Sequence, residues 1–163
     1  MTSQKATHLE NICSIRAELL EVLEGMDYCL DWKPNPDSWS AREVIYHLVD
    51  TPSGGLHTLI WGMLTGKIQE FDLAPNLTNM TPERQTVDIQ QALHDITLVL
   101  NGMEEAVSAA SEEDLARKSA LAHLKARGRD EVRTAQMLLE GLFARHWREH
   151  LGQLRELRET LGV

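Results

Sequence analysis

Between residues 6 and 30 apolar side chains fall at Leu9, Ile12, Ile15, Leu19, Leu23, Met26 and Leu30, a spacing of three and four that gathers them on one side of an α-helix. The same period returns at Val44, Ile45, Leu48 and Val49, at Leu56, Leu59, Ile60, Met63 and Leu64, and along Ile89, Leu93, Ile96, Leu100, Met103 and Val107. It returns once more at Leu138, Leu139, Leu142, Phe143, Leu151, Leu154 and Leu157. No stretch alternates apolar and polar residues convincingly, and no segment repeats another. Helices that each carry one apolar stripe must bury it against one another, so the pattern predicts an all-α four-helix bundle. At 163 residues the chain fits a single domain, 1–163, able to bury about two thirds of its unfolded surface around one core.

Breakers divide the helices. Asp31-Trp32-Lys33-Pro34-Asn35-Pro36-Asp37 ends the first, because each proline biases its predecessor away from helix. Ser40-Ala41-Arg42-Glu43 restarts the chain with a capping-box pattern. At Thr51-Pro52-Ser53-Gly54-Gly55 the second helix should bend, or split into two segments with Thr51 as a new cap. Gly66 to Asn79 reads as a long irregular crossover connection, and Thr81-Pro82-Glu83 as the start of a third helix reaching about Ala110. Ser111-Glu112-Glu113-Asp114-Leu115 suggests a short helix, 117–130 carries no clear pattern, and the last helix is expected from about Glu131 to Leu161.

No apolar run approaches bilayer length, and the start Met1-Thr2-Ser3-Gln4-Lys5 does not lead into a signal-peptide core, so a soluble cytoplasmic protein is expected. Cys13 and Cys29, sixteen residues apart on one expected helix, would lie about 24 Å apart along its axis and could not pair. A net charge of −9 argues against a sequence-independent grip on nucleic acid or an anionic membrane. The charge is unevenly placed: residues 1–116 hold six basic against nineteen acidic side chains, residues 117–163 ten against six. Two readings fit the basic part, a solvated helix face or a local field that draws a small anionic substrate.

Chemistry points to the histidines. His146 and His150, four positions apart, are separated by about 40° around a helix axis, so both imidazoles can converge on one ion. They also continue the stripe Leu139, Phe143 and Leu157, so they should point inward, where they serve either as metal ligands or as packed, hydrogen-bonded core histidines. His47, beside Val44 and Leu48 on the second helix, is the best third ligand, with an ordinary core histidine as the alternative. Three imidazoles would leave coordination positions open, the condition for chemistry at the ion. Asp50, one turn after His47, could hold an imidazole in its metal-binding tautomer, or be a solvated acid. Glu149 projects about 80° from the midpoint of the histidine pair and reads as a rim group. His8, His57, His94 and His123 read as ordinary histidines, although the bend after His47 could carry His57 toward the pocket.

Taken together, Trp39-Ser40-Ala41-Arg42-Glu43-Val44-Ile45-Tyr46-His47-Leu48 and, about a hundred residues later, His146-Trp147-Arg148-Glu149-His150-Leu151-Gly152-Gln153-Leu154 resemble the DinB-like, YfiT-related metalloenzyme superfamily. The resemblance covers the whole chain in helix order. It implies a four-helix bundle, often a homodimer, that holds a divalent metal such as zinc or nickel on three histidines, here His47, His146 and His150. It further implies a small-molecule substrate and activities such as thiol-dependent S-transfer or isomerisation, in which a low-molecular-weight thiol takes part. Pro52-Ser53-Gly54-Gly55 departs from it by interrupting a helix usually continuous in the family.

Other metal motifs fit less well. His146-x-x-Glu149-His150 matches the inverted zinc-protease pattern, but only thirteen residues follow to supply a further ligand. The Glu-x-x-His tetrapeptide of ferritin-like carboxylate sites is missing, as are a phosphate-binding glycine loop and a Gly-x-Ser-x-Gly elbow. Two functions are therefore expected in competition. One is a metal-dependent enzyme whose ion activates a water or a thiol against a small electrophile. The other is a non-catalytic helical dimer, metal-bound or metal-free, acting as a stress-related binding module.

Overall fold

The computed structural model describes residues 3–163. Its helices are α1 (Gln4–Leu23), α2 (Ala41–Val49), α3 (Leu56–Leu64), α4 (Ile89–Ala109), α5 (Glu112–Arg117), α6 (Ala135–Leu138) and α7 (His146–Leu161). A π-helical segment, Leu139–Arg145, joins α6 to α7 in one helical run. Three short strands, β1 (Glu70–Leu73), β2 (Ser119–Leu124) and β3 (Arg129–Thr134), form a sheet in that order, β1 parallel and β3 antiparallel to β2. The bundle is thus not purely helical.

Four helical units make the bundle: α1, the α2–α3 pair, α4 and the α6–α7 run. Helix α4 packs on α1, α2 and α3, while α7 packs on α1 and α2. Ile12, Ile15, Leu19, Val44, Ile45, Leu48, Ile96, Leu100, Met103, Leu151 and Leu154 are all buried between them, and each such side chain contributes roughly 1.5–3 kcal/mol on leaving water. Among the described residues no helix is long and apolar enough to cross a membrane.

Helix α1 stops at Leu23, seven residues short of the apolar pattern. The Arg158 guanidinium donates to the carbonyls of Val22 and Glu24 and so satisfies the open end of the helix. Met26, Cys29 and Leu30 remain buried, but in turns. Cys29 therefore does not share a helix with Cys13, and both thiols are free.

The capping box at Ser40 forms as expected, with Ser40 Oγ accepting from Glu43 N and Glu43 Oε1 from Ser40 N. After α2 the chain splits into two segments. Thr51 does not cap the second; the bond from Thr51 to Pro52 is cis and Gly55, at φ 91°, is the N-cap of α3.

Thr81 caps only a single turn, and α4 begins at Ile89 behind Asp88, whose side chain accepts from Gln91 N. Buried Arg42 of α2 donates to the Arg84 and Val87 carbonyls at 2.9 and 2.6 Å and so satisfies acceptors in the stretch between that turn and α4. Its other nitrogens grip Asp31.

The sheet corrects two expectations. β1 lies inside the connection taken as irregular, and residues 129–134, partly assigned to the last helix, pair with β2. The alternation in β2 is real, with Ala120, Ala122 and Leu124 buried, but two of those three are alanines, which have little preference for strands. Gly128, at φ 61°, ends the hairpin turn, and Thr134 both closes β3 and caps α6 through Met137 N.

Candidate metal centre

His47 lies in the last turn of α2 and is buried, whereas His146 and His150 are half-buried on the first turns of α7. The apolar stripe of α7 is not the one expected. Trp147, fully buried, takes the core position with Leu151, Leu154 and Leu157, and the two histidines occupy the neighbouring face toward α2. The π segment accounts for this change. Its wider turn, in which the His146 N–H reaches back to the Gly141 carbonyl, rotates the following helix relative to an unbroken α pattern. Such insertions leave no mark in a three-and-four spacing.

Nε2 of His146 lies 3.1 Å from Nε2 of His47 and 3.1 Å from Nε2 of His150. Among the described residues these three are the group of metal-ligating side chains whose donor atoms gather, all within 4.8 Å of one another. The outer nitrogens explain what the inner ones carry. His47 Nδ1 stands 2.6 Å from the Leu77 carbonyl, which can only accept, so the proton sits on Nδ1 and a lone pair on Nε2. His150 Nδ1 donates likewise to Gln153 Oε1 at 2.8 Å. Both lone pairs face His146, whose own Nδ1 is buried beside the Leu142 carbonyl without a well-formed hydrogen bond.

This set suits a cation better than it suits itself. With a proton on Nε2, His146 has one N–H for two acceptors and turns the Nδ1 lone pair toward the Leu142 carbonyl; with the proton on Nδ1, three lone pairs confront one another. Nitrogens 2.0–2.1 Å from one ion, at angles between tetrahedral and octahedral, would lie about 2.9–3.4 Å apart; both His146 spacings, 3.1 Å, fall in that range, and all three donors lie within 4.8 Å of one another. Imidazole donors select zinc, nickel, copper or iron over magnesium or calcium.

The surroundings hold the rings in place. Trp39 stacks on His150 with the ring planes 5° apart and lies tilted against His47 at 5.0 Å. Asn79 Nδ2 donates to Thr51 Oγ1 and to the Tyr46 and His47 carbonyls, tying the crossover segment that carries Leu77 onto the end of α2. Thr51 Oγ1 is 3.3 Å from His47 Nδ1. Sequence reasoning missed Leu77, Thr51 and Asn79; only Gln153, in the quoted Leu-Gly-Gln, carried a signal.

Asp50 does not touch an imidazole. Its carboxylate accepts from Gly54 N and pairs with Arg84 at 3.2 Å. Glu149 is exposed at the mouth of the cavity beside the triad, a rim position as expected. His57 stays away from the pocket, packed where a Cβ on Gly102 or Gly55 would collide with its ring. His123 bonds Asp130 on the sheet, and His8 is buried on α1.

A cavity of about 750 Å³ opens beside the three histidines, walled by β1, β2, the segment after β1 and the π segment. A smaller one of about 400 Å³ meets it at Trp39, Asn76 and His150.

Burial holds His146 down to a pKa of about 4, with His150 and His47 adding to the effect, and burial also lowers His47. In the metal-free protein the unfolded chain therefore takes up protons, between pH 6.5 and about 4, that the folded chain refuses. Stability is complete above pH 6.5 and falls as the pH drops through that window. After allowance for partial solvent access, the loss should be about 2 kcal/mol. Urea midpoints of metal-free protein at pH 7 and pH 4 check this; the pH dependence should shrink in His146→Asn.

A bundle that brings three imidazoles from two helices onto one point beside an open cavity defines a metalloprotein-type scaffold. The chain belongs to the DinB superfamily, whose family model matches residues 14–154. Its structure is similar to that of YfiT from Bacillus subtilis, described as "a probable metal-dependent hydrolase with an unusual four-helix bundle topology". The TM-score is 0.72 at 18% identity, over 97% of this chain and 87% of that one, a likeness of fold. No curated protein matches the chain.

Proposed function

We propose that the chain is a metal-dependent enzyme that binds one divalent transition ion, zinc or nickel, through Nε2 of His47, His146 and His150, and acts on a small electrophilic molecule. The observation that carries this is the convergence of three Nε2 atoms whose partners at Nδ1 are already fixed for two of the rings. Outer hydrogen bonds of that kind set the tautomer and raise ligand basicity. When bound, a divalent cation with open positions lowers the pKa of water or of a thiol enough to yield a nucleophile near neutral pH.

The chain's own groups do the rest. Trp39 covers the His47 and His150 rings from solvent, and the Leu77 and Gln153 oxygens keep both outer nitrogens protonated. Apolar walls formed by Phe71, Leu73, Leu138 and Leu142 take the body of the substrate. Glu149 stands at the mouth, where it can exchange protons with water. The description of YfiT favours water as the attacking group, and the family resemblance a low-molecular-weight thiol. Both use the same site.

Tag-free protein, stripped with chelator and titrated with zinc and with nickel, should take up close to one equivalent. The loaded protein should then hydrolyse p-nitrophenyl acetate, or transfer a thiol to 1-chloro-2,4-dinitrobenzene, in a chelator-sensitive way. Uptake below about a tenth of an equivalent of either metal would overturn the proposal at its first step. Full uptake without turnover on either class of electrophile would leave a binding module in place of an enzyme.

A further inference from the structure

We infer that Arg145 is the anchor for a carboxylate on the substrate, so that the cavity takes a small organic anion with an apolar body. This rests on the reading of the cavity as the substrate site. Three arginines line the cavity, Arg127, Arg133 and Arg145, against one carboxylate, Glu149, in a chain whose net charge is −9. Arg133 is already occupied, donating through Nε and a terminal nitrogen to Glu131, and Arg127 lies exposed at the cavity's edge, 3.9 Å from the same carboxylate.

Arg145 differs from both. Among the described residues it forms no ion pair, and Glu149, one turn further along the same helical run, is not within pairing distance. Helical side chains lean toward the N-terminus. Its guanidinium accordingly runs back over Gly141, where an added Cβ would lie 3.5 Å from the terminal nitrogen. Gly141 also lines the cavity, and its missing side chain leaves space beside the guanidinium. Arg145 immediately precedes His146, so a molecule held there by an anionic group would extend past the triad along Leu138, Leu142 and Leu124. A planar guanidinium with two free N–H edges matches a carboxylate in bidentate fashion.

The test uses metal-free protein at pH 8, which removes any contribution of a bound ion to anion binding. 4-Methylbenzoate and its neutral counterpart 4-methylbenzamide are titrated calorimetrically into wild type, Arg145→Met, Arg145→Gln and the control Arg148→Met, whose side chain points to Asn11. Wild type and R148M should prefer the benzoate by roughly tenfold, as expected for one solvent-accessible charge-assisted contact, and both Arg145 variants should lose most of that preference. The preference should also fall with added salt. A wild type that does not discriminate, or an R145M or R145Q that still does, would overturn the inference. Zinc titration of the same samples separates the two readings: loss of metal uptake in wild type with discrimination intact sinks the metal proposal alone, and the converse result sinks only the anion anchor.

Discussion

Alanine in place of His146 should abolish the stabilisation that zinc confers while leaving the metal-free fold intact. At a free zinc concentration a thousandfold above its dissociation constant, wild type gains about 4 kcal/mol by mass action. For a chain of this size that corresponds to a rise in melting temperature of about 8–16 °C. His146 is the middle donor of the three, 3.1 Å from each of the others, so its removal leaves two nitrogens without the group that bridges them. The loss should be on the order of a thousandfold in affinity, well beyond the 10–100-fold typical of an outer-sphere partner. Metal-free H146A should melt close to metal-free wild type, because the lost contacts to His47 and His150 are offset by removing a buried ring nitrogen that lacks a well-formed hydrogen bond. Differential scanning calorimetry with and without zinc checks both halves. An unchanged zinc shift in H146A would refute the triad.

Trp147→Ala should do the reverse. The indole is fully buried, packs edge-on against Phe143 at 5.1 Å, and belongs to the core side of the helix that presents both histidines. Deleting it should cost about 3–5 kcal/mol through lost burial and the cavity left behind. That lowers the melting temperature by about 6–20 °C. Zinc should still raise the melting temperature of W147A, since the histidine rings lie on a different face. Paired melting curves read this directly, and a variant as stable as wild type would show that Trp147 is not a core anchor. His146 and Trp147 are adjacent in sequence, yet one change should erase metal dependence and the other stability.

The family resemblance carried much of the site. Spacing offered the pair His146 and His150 and made His47 the best third candidate, the resemblance implied all three as ligands, and the structure brings those three rings together. Spacing did not reveal which face of the last helix they occupy. The π segment shifts that face by widening one turn, and hydrophobic periodicity does not register a widened turn. Asp50, one turn from His47, offered either an orienting carboxylate or a solvated acid; it pairs with Arg84, and backbone oxygen from Leu77, thirty residues on, meets His47. Carbonyl groups are common to every residue, so sequence gives them no signature.

The departure at Pro52-Ser53-Gly54-Gly55 was legible as a break, and a break is what forms. Its use was not legible. Thr51 receives Asn79 and approaches His47, so the interruption helps seat the crossover segment beside the site instead of moving His57 toward it. The sheet escaped notice for a related reason. β2 gains its strand conformation from pairing with β1, some fifty residues earlier, and with β3, while its own residues are largely neutral about the choice.

Local periodicity and capping chemistry therefore determined the helices, their main breaks and the residue types able to ligate a metal, because those depend on neighbours three and four positions away. Tertiary structure alone decided which histidine face meets α2, that Leu77 holds the outer nitrogen of His47, and that Arg145, among the described residues, is left without a carboxylate partner. These depend on where distant segments come to rest, and a side chain's hydrogen-bond partner or ion pair is set by that meeting in space.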